Sequence, residues 1–289
     1  MELEKLTEHF YYTRPIADID QPILGAVLGN NLCVMVDGGV SPDMAREFKA
    51  LLRSATGRKP DFCVVTHWHW DHTFGLAGVG CPIIGQKNLQ KHLKRLAADR
   101  YDRTSLLKRV AEKKEISFCA DNILKVYGEA GENVQIAPAG LLYDNELLLD
   151  LGGVNVVLHH FPSDHSDDAT SIFIKEDRVL LLGDAMCEEF YADKPFHTPE
   201  AVLAQFDYID SLGDIDWYLL SHAAPQNNHH FALTYEVLRV AAEGYRQGYT
   251  EKTMLGDYIK ENLDVGTPDD YEQTAEFFYN GQFGTRYDL

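Results

Sequence analysis

An α/β fold, built in layers, is what this chain predicts, and three observations predict it. Short β-branched runs alternate with stretches of helical spacing through the first third of the sequence. Residues able to bind a metal recur just past the ends of the apolar runs, where open α/β sheets gather their sites. The composition is globular, with 45% hydrophobic and 25% charged residues, and 289 residues are enough for a sizeable core.

The elements follow in order. His9 to Arg14 and Ile23 to Leu28 read as strands, with Gly29-Asn30-Asn31 as a turn into the strand Leu32 to Val36, which ends at Asp37-Gly38-Gly39. Ser41-Pro42-Asp43 offers an N-cap with proline at the first helical position and opens a helix to about Ala55. Phe62 to Thr66, preceded by Lys59-Pro60, is the next strand, and Pro82 to Gly85 a short one. From about 88 to 127 glycine and proline are scarce and leucines fall at helical spacing, which reads as a helical insertion. The β pattern resumes at Val134-Gln135-Ile136, Glu146 to Leu149 and Val154 to Leu158. After a polar loop come Thr170 to Ile174 and Val179 to Leu182. Thr198-Pro199-Glu200 caps a helix through about Ser211, and Trp217 to Leu220 is the last strand. A helical tail fills about 229–280. With no internal repeat or linker composition, residues 1–289 read as a single domain carrying an insertion and a tail.

Composition excludes several function classes. The net charge of −19 opposes non-specific binding to nucleic acid and to anionic membranes, so neither is an expected partner. No apolar run approaches the roughly 20 residues that span a bilayer, and the acidic start Met1-Glu2-Leu3-Glu4-Lys5 lacks the pattern of a signal peptide. Five cysteines, Cys33, Cys63, Cys81, Cys119 and Cys187, form no C-x-x-C pair and several sit in apolar runs. That usage suits reduced thiols and a cytoplasmic location. Charge is unevenly spread: between Gln86 and Lys114 ten lysines and arginines face only Asp99, Asp102 and Glu112. This segment reads as a solvated helical face, with attraction of an anionic substrate as the sharper alternative.

The chemistry centres on Thr66-His67-Trp68-His69-Trp70-Asp71-His72, which places four metal-binding residues within six positions after a buried strand. Along an extended chain His67 and His69 project to the same side and can share one ion, while Asp71 and His72 in the following turn can face a second. His165, Asp184 and His222 each lie just after an apolar strand. They divide the ligands into His67, His69 and His165 on one hand and Asp71, His72 and His222 on the other, with Asp184 as the natural bridge. Trp68 and Trp70, interleaved with the ligands, are expected to pack beneath the site. Asp37 is either a partner of a metal histidine or a turn aspartate. His159 and His160 are not expected as ligands, Cys187 reads as a buried thiol, and His197, His229 and His230 read as surface histidines.

His-x-His-x-Asp-His, a later loop histidine, a strand ending Leu-Gly-Asp and a last strand ending in histidine together resemble the metallo-β-lactamase-fold metallohydrolase superfamily, over roughly residues 9 to 225. The resemblance implies an αββα sandwich with the site at one edge of two packed sheets. It also implies that His67, His69 and His165 hold a first zinc, that Asp71, His72 and His222 hold a second, and that Asp184 bridges them. True β-lactamases of the superfamily usually carry cysteine or serine near the bridging place, so Asp184 is closer to glyoxalase II, lactonase, phosphodiesterase and arylsulfatase-like members. The loop His165-Ser166-Asp167-Asp168 departs from the Gly-His-Thr-x-Gly common in glyoxalase II relatives.

The ligand set suits two Zn²⁺, with Mn²⁺ or Fe²⁺ as alternatives that the same nitrogens and oxygens accept. Such an ion pair would share a hydroxide able to attack a carbonyl or phosphoryl centre, with Asp71 and Asp184 as the catalytic carboxylates. The expected function is therefore a dinuclear metal-dependent hydrolase acting on a small-molecule ester, thioester or lactone. A phosphodiesterase for a nucleotide-sized phosphate is the alternative, followed by a β-lactamase and a di-iron redox protein. The redox class carries a carboxylate where His69 stands and an appended flavodoxin-like domain, and neither is found here.

Overall fold

A computed structural model describes residues 1–263 and 266–289. Strands β1 (Leu3–Lys5), β2 (Phe10–Thr13), β3 (Leu24–Leu28), β4 (Cys33–Val36), β5 (Phe62–Val64), β6 (Ile83–Gln86) and β7 (Leu141–Tyr143) form one sheet in that order. The second sheet runs β13 (Gln226–Asn227), β12 (Trp217–Leu220), β11 (Val179–Gly183), β10 (Thr170–Ile174), β9 (Asn155–His160) and β8 (Glu146–Asp150). Antiparallel pairing at the start of the first sheet gives way to parallel pairing from β4 through β7, and β11 pairs β12 in parallel. The helices are α1 (Pro42–Thr56), α2 (Trp70–Thr73), α3 (Leu89–Ala98), α4 (Arg103–Ala111), α5 (Ser117–Tyr127), α6 (Pro199–Ser211), α7 (Asn228–Arg246), α8 (Lys252–Asn262) and α9 (Pro268–Gly281).

The period-two alternation of strand side chains sorts these elements into four layers. On β4, Val34 and Val36 face the second sheet, joining Val27, Val64, Val156, Leu158, Ile172, Leu181 and Leu219 in a core between the sheets. Cys33 and Met35 face the other way, onto Phe48 and Leu52 of α1 and onto Leu89, Leu93, Leu106 and Ile123 of α3–α5. The outer face of the second sheet, Phe173, Leu180, Leu182 and Leu220, is covered by Val202 and Phe206 of α6 and by Ala241, Leu255 and Phe278 of the tail. The result is an αββα sandwich in which the basic insertion and the tail each cover a sheet. Each interface between layers is an apolar core of its own.

Local chemistry explains the boundaries. Ser41 accepts from Met44 N and Thr198 from Ala201 N, so both proline-opened helices begin where the caps predict. Strand β5 stops earlier than its apolar run because the Thr66 amide donates to Asp37 Oδ1 at 2.7 Å instead of continuing the ladder. Strand β9 runs past Leu158 through His159 and His160, which pair with Ser171 and Thr170 of β10. The expected strand Val134-Gln135-Ile136 does not form. Pairing with β6 begins only when Gly140 N donates to Ile83 O, Pro138 has no amide to give, and Val134 and Ile136 pack on the outer core instead. The tail is helical as expected in α7, α8 and α9, and its positions 264–265 lie outside the described residues.

Backbone contacts fix the turn that carries the histidine motif. Gly38 N donates to His72 O at 2.9 Å and Gly75 N to Gly39 O at 2.7 Å. A Cβ on Gly75 would lie 1.9 Å from Gly38 O, so no side chain fits where these two segments cross. Gly75→Ala is expected to lose about 2–4 kcal/mol in urea unfolding, whereas Gly140→Ala, whose Cβ meets nothing within 4 Å, changes stability by less than about 0.5 kcal/mol. Equal stability of the two variants would contradict this packing.

Candidate metal centre

Four segments converge at one end of the sandwich. The loop after β5 and the short helix α2 bring His67, His69, Asp71 and His72; the loops after β9, β11 and β12 bring His165, Asp184 and His222. One ligand atom from each of His67, His69 and His165 lies within 4.8 Å of the others, and so do those of Asp71, His72, Asp184 and His222. Asp184 Oδ2 stands between the groups, 3.2 Å from His72 Nε2, 3.3 Å from His222 Nε2, 3.8 Å from His67 Nε2 and 4.0 Å from His165 Nε2. Every residue that the sequence singled out as a ligand is thus present in one of two adjoining clusters.

The two clusters differ electrostatically. Burial, reinforced by neighbouring imidazoles, holds His67 and His69 well below the ordinary histidine range, and burial lowers His165 too. All three are therefore neutral and offer lone pairs. In the second cluster burial acts the same way on His72 and His222 but is outweighed by carboxylates. Asp71, Asp37 and Asp184 hold His72 well above its usual range, and Asp184 and Asp71 do so for His222. Burial would raise Asp71 and Asp184, yet the facing imidazoles keep both below the carboxylate range.

The rings are aimed from behind. His72 Nδ1 donates to Asp37 Oδ2 at 2.8 Å, and Thr66 Oγ1 donates to the same oxygen at 2.8 Å. Asp37 is therefore a partner of a histidine in the cluster, and its φ of +61° turns the chain there. His165 Nδ1 donates to Glu188 O at 3.0 Å. Asp20, from the loop before β3, was not recognised in the sequence; its Oδ1 lies 3.7 Å from His222 Nδ1. Burial and the Asp71 charge push Asp20 up to about 7. No motif marks it, because nearly the whole sandwich is threaded between it and the ring it faces.

These residues fit divalent cations. The Nε2 atoms of His67, His69 and His165 are buried without a hydrogen-bond partner, which would cost a few kcal/mol in a dry cluster unless an ion accepts their lone pairs. The donor set of imidazoles and carboxylates, without thiolate, suits zinc and its borderline neighbours.

A family model described as the metallo-beta-lactamase superfamily matches residues 25–222. The chain belongs to the metallo-beta-lactamase superfamily. Members of this superfamily are mostly metal-dependent hydrolases. Among solved structures, the chain is similar to a metallo-beta-lactamase family protein from Thermus thermophilus, at 15% identity over 96% of this chain and 95% of that one, with a TM-score of 0.60. It is also similar to a stereoselective inverting sec-alkylsulfatase from Pseudomonas sp., at 14% identity and TM-score 0.66, covering 97% of this chain and 50% of that one. A metallo-beta-lactamase from Pontibacter korlensis gives 14% identity and TM-score 0.54 over 81% of this chain and 97% of that one. At such identities the likeness is one of fold. A search of curated proteins gives no match.

Other side chains around the centre of this superfamily member mostly follow the sequence, but Cys187, expected as a buried thiol, is only partly buried and lines a cavity. Trp68 and Trp70 are buried in the outer core as expected; Trp68 stacks on His92, with Arg95 over its ring. His159 stacks on Tyr208 and His160 meets Asp167 O, so neither joins a ligand cluster. His229 and His230 are exposed at the start of α7. His197, expected at the surface, is not a surface residue: it is 4% exposed, packed against Phe277 and Phe278 of α9. The signal was weak because the α9 residues that pack on it lie far off in sequence. The basic insertion is largely spoken for, since Lys91 and His92 pair with Asp167, Lys113 with Asp193 and Arg103 with Glu129.

The C-terminal segment clasps the site. Arg286 Nε lies 2.9 Å from Glu189, its Nη2 donates to Asp164 O at 3.0 Å, and Tyr287 N donates to Tyr191 O at 2.7 Å. Both carboxylates are buried, and burial pushes Glu189 up to about 7. Because Arg286 itself is half exposed, Arg286→Gln is expected to cost only about 1–2 kcal/mol, read as a lower Tm, with Arg286→Lys intermediate. His197 gives a pH signature: burial lowers it to about 4, against 6.5 when unfolded. Between those values the unfolded chain binds the extra proton, so stability is full above pH 6.5 and falls toward pH 4, by up to about 3 kcal/mol. In urea titrations His197→Phe should lose less stability than the native chain between pH 6.5 and 4.5; parallel losses would refute it.

Proposed function

We propose that this protein is a dinuclear metal-dependent hydrolase acting on a small ester, thioester or lactone. The observation that carries the reading is Asp184 Oδ2 lying within 4.0 Å of the Nε2 atoms of four histidines drawn from both clusters. His67, His69 and His165 would hold one cation and Asp71, His72 and His222 the other, with Asp184 shared; zinc suits the set, and manganese or iron is the alternative. When bound, such ions supply an acidified water as nucleophile and an electrophile for the substrate oxygen.

The chain's own groups do the rest. Asp37 and Thr66 fix the orientation of His72, the Glu188 carbonyl fixes that of His165, and Asp20 faces the outer nitrogen of His222. Asp71 Oδ2 lies 3.0 Å from His72 Nε2 and 3.2 Å from His222 Nε2, and it would accept a proton from the attacking water only where it is not fully committed to the second cation. Trp68 and Tyr191 pack against the His69 ring and exclude solvent from that flank. His222 is the more open ligand, about one-third exposed, so substrate would approach from its side. A reducing compartment is the proposed setting, supported by the free thiols Cys33, Cys63, Cys81, Cys119 and Cys187. No helix among the described residues is long and apolar enough to cross a membrane.

The test is metal analysis of the purified protein combined with a substrate panel of p-nitrophenyl acetate, a thioester, lactones, bis-p-nitrophenyl phosphate and a secondary alkyl sulfate. About two equivalents of metal, a metal-dependent rise in Tm and turnover of the carboxylic substrates are expected. His67→Ala and Asp184→Ala should lose the Tm rise and at least about 100-fold in kcat/KM together. Activity that survives both changes would remove the mechanism, and turnover confined to the phosphodiester would move the protein to the phosphodiesterase class.

A further inference from the structure

Beside the candidate metal centre lies a cavity of about 420 Å³, within the usual size range for a small-molecule site. Its near wall is the segment after β11, Met186 to Glu188. That segment is bonded to the ligand clusters from two directions: Cys187 N donates to Asp184 O at 2.8 Å, and Glu188 O accepts from His165 Nδ1 at 3.0 Å. The far walls come from α7 and α9. Leu233, Thr234, Val237 and Leu238 form one stripe of α7, and Gln273, Thr274 and Phe277 one of α9. The cavity accounts for Leu233, which is 41% exposed although it faces inward to the tail rather than outward from it.

Two polar side chains, His197 and Tyr235, reach this space. His197 is 4% exposed, lines the cavity, and among the described residues its ring makes no hydrogen bond, only contacts with Phe277 and Phe278. Because His197 lines the cavity, a ligand or an ordered water there could take its hydrogen bond. The Tyr235 phenol also lines the cavity, and burial, with the Asp184 and Glu188 carboxylates adding to it, raises its pKa. Among the described residues, the charged lining consists of Glu188 and Asp270, with no lysine or arginine. The superfamily match ends at residue 222, so α7 and α9 lie outside the span that the family model covers.

We infer that the C-terminal helices build a substrate subsite beside the metal centre, which takes the uncharged, largely apolar chain of the ester or thioester and rejects chains ending in a carboxylate. The proposal rests on the hydrolase reading above. Its physical basis is the pairing of apolar walls, which reward each buried methylene, with carboxylates that repel an anion in a half-closed space. His197 supplies a single hydrogen bond to a neutral polar atom of the chain, because burial keeps its ring uncharged at neutral pH.

The experiment uses straight-chain alkyl hydroxamic acids of rising length on the metal-loaded protein, with Kd measured by calorimetry. Each added methylene should tighten binding about three- to fourfold until the cavity is filled. A carboxylate at the chain end should weaken binding at least tenfold relative to the methyl-ended compound. Thr234→Trp places a ring across the cavity from an exposed helix position; it should leave acetohydroxamic acid unchanged and flatten the length dependence. A second arm uses metal-free protein, following displacement of the neutral fluorophore N-phenyl-1-naphthylamine by neutral alkyl amides of the same lengths. If acetohydroxamic acid fails to bind while the amides keep a length dependence that Thr234→Trp removes, the subsite stands and the metal reading falls. A length-independent Kd in both arms, or an undiminished length dependence in Thr234→Trp, overturns the subsite.

Discussion

Two backbone hydrogen bonds between the sheets govern the site. Thr170 N donates to Thr66 O at 2.8 Å, and Ile23 N donates to Ser221 O at 2.7 Å. Each joins a strand end of one sheet to a strand end of the other, next to a residue of the ligand clusters. Thr66 precedes His67, and Ser221 precedes His222. Gly183, with φ of +59°, lets the end of β11 turn against Thr66, where a Cβ would sit 3.0 Å from the threonine's own. An αββα sandwich can pack its sheets at various offsets, but these contacts fix the offset at the end where seven side chains must meet.

That convergence is unfavourable in isolation. Neutral imidazoles with orphaned nitrogens and a knot of carboxylates facing imidazoles whose pKa they raise are both buried, and neither is how a protein would fill space for stability alone. The surroundings offset the cost locally. Asp37 takes two bonds from Thr66 and one from His72, the Glu188 carbonyl takes one from His165, and two tryptophans seal the underside. Orientation and burial thus come from the same neighbours, so a change in Asp37 or in the 186–191 segment acts on the site without touching a ligand.

The helical insertion and the tail share a logic. The insertion presents lysines to an acidic body, and Lys91, Lys113 and Arg103 find Asp167, Asp193 and Glu129. The tail covers the second sheet, returns through Arg286 and Tyr287 to pin the loop that orients His165, and lines the cavity next to Asp184. Local charge pairing explains why so acidic a chain carries a basic stretch. Its helices cover a sheet face, and its cations hold down loops of the core.

The ligand set was legible because chemistry compresses it into a pattern: His67, His69, Asp71 and His72 are neighbours in sequence, and His165, Asp184 and His222 each follow an apolar strand. Strand and helix boundaries were legible where caps or alternation set them, as at Ser41 and Thr198, and failed at Val134–Ile136, where a hydrophobic pattern found no free ladder. The sequence by itself determined the fold class, the superfamily and which side chains gather in the two clusters, because those depend on residue type and short-range spacing. Tertiary structure alone decided that Asp20 faces His222, that Asp37 serves His72, that His197 is buried, and that the tail walls a cavity beside the centre. Those facts depend on which distant segments touch, and no local periodicity encodes a contact made between parts of the chain so far apart.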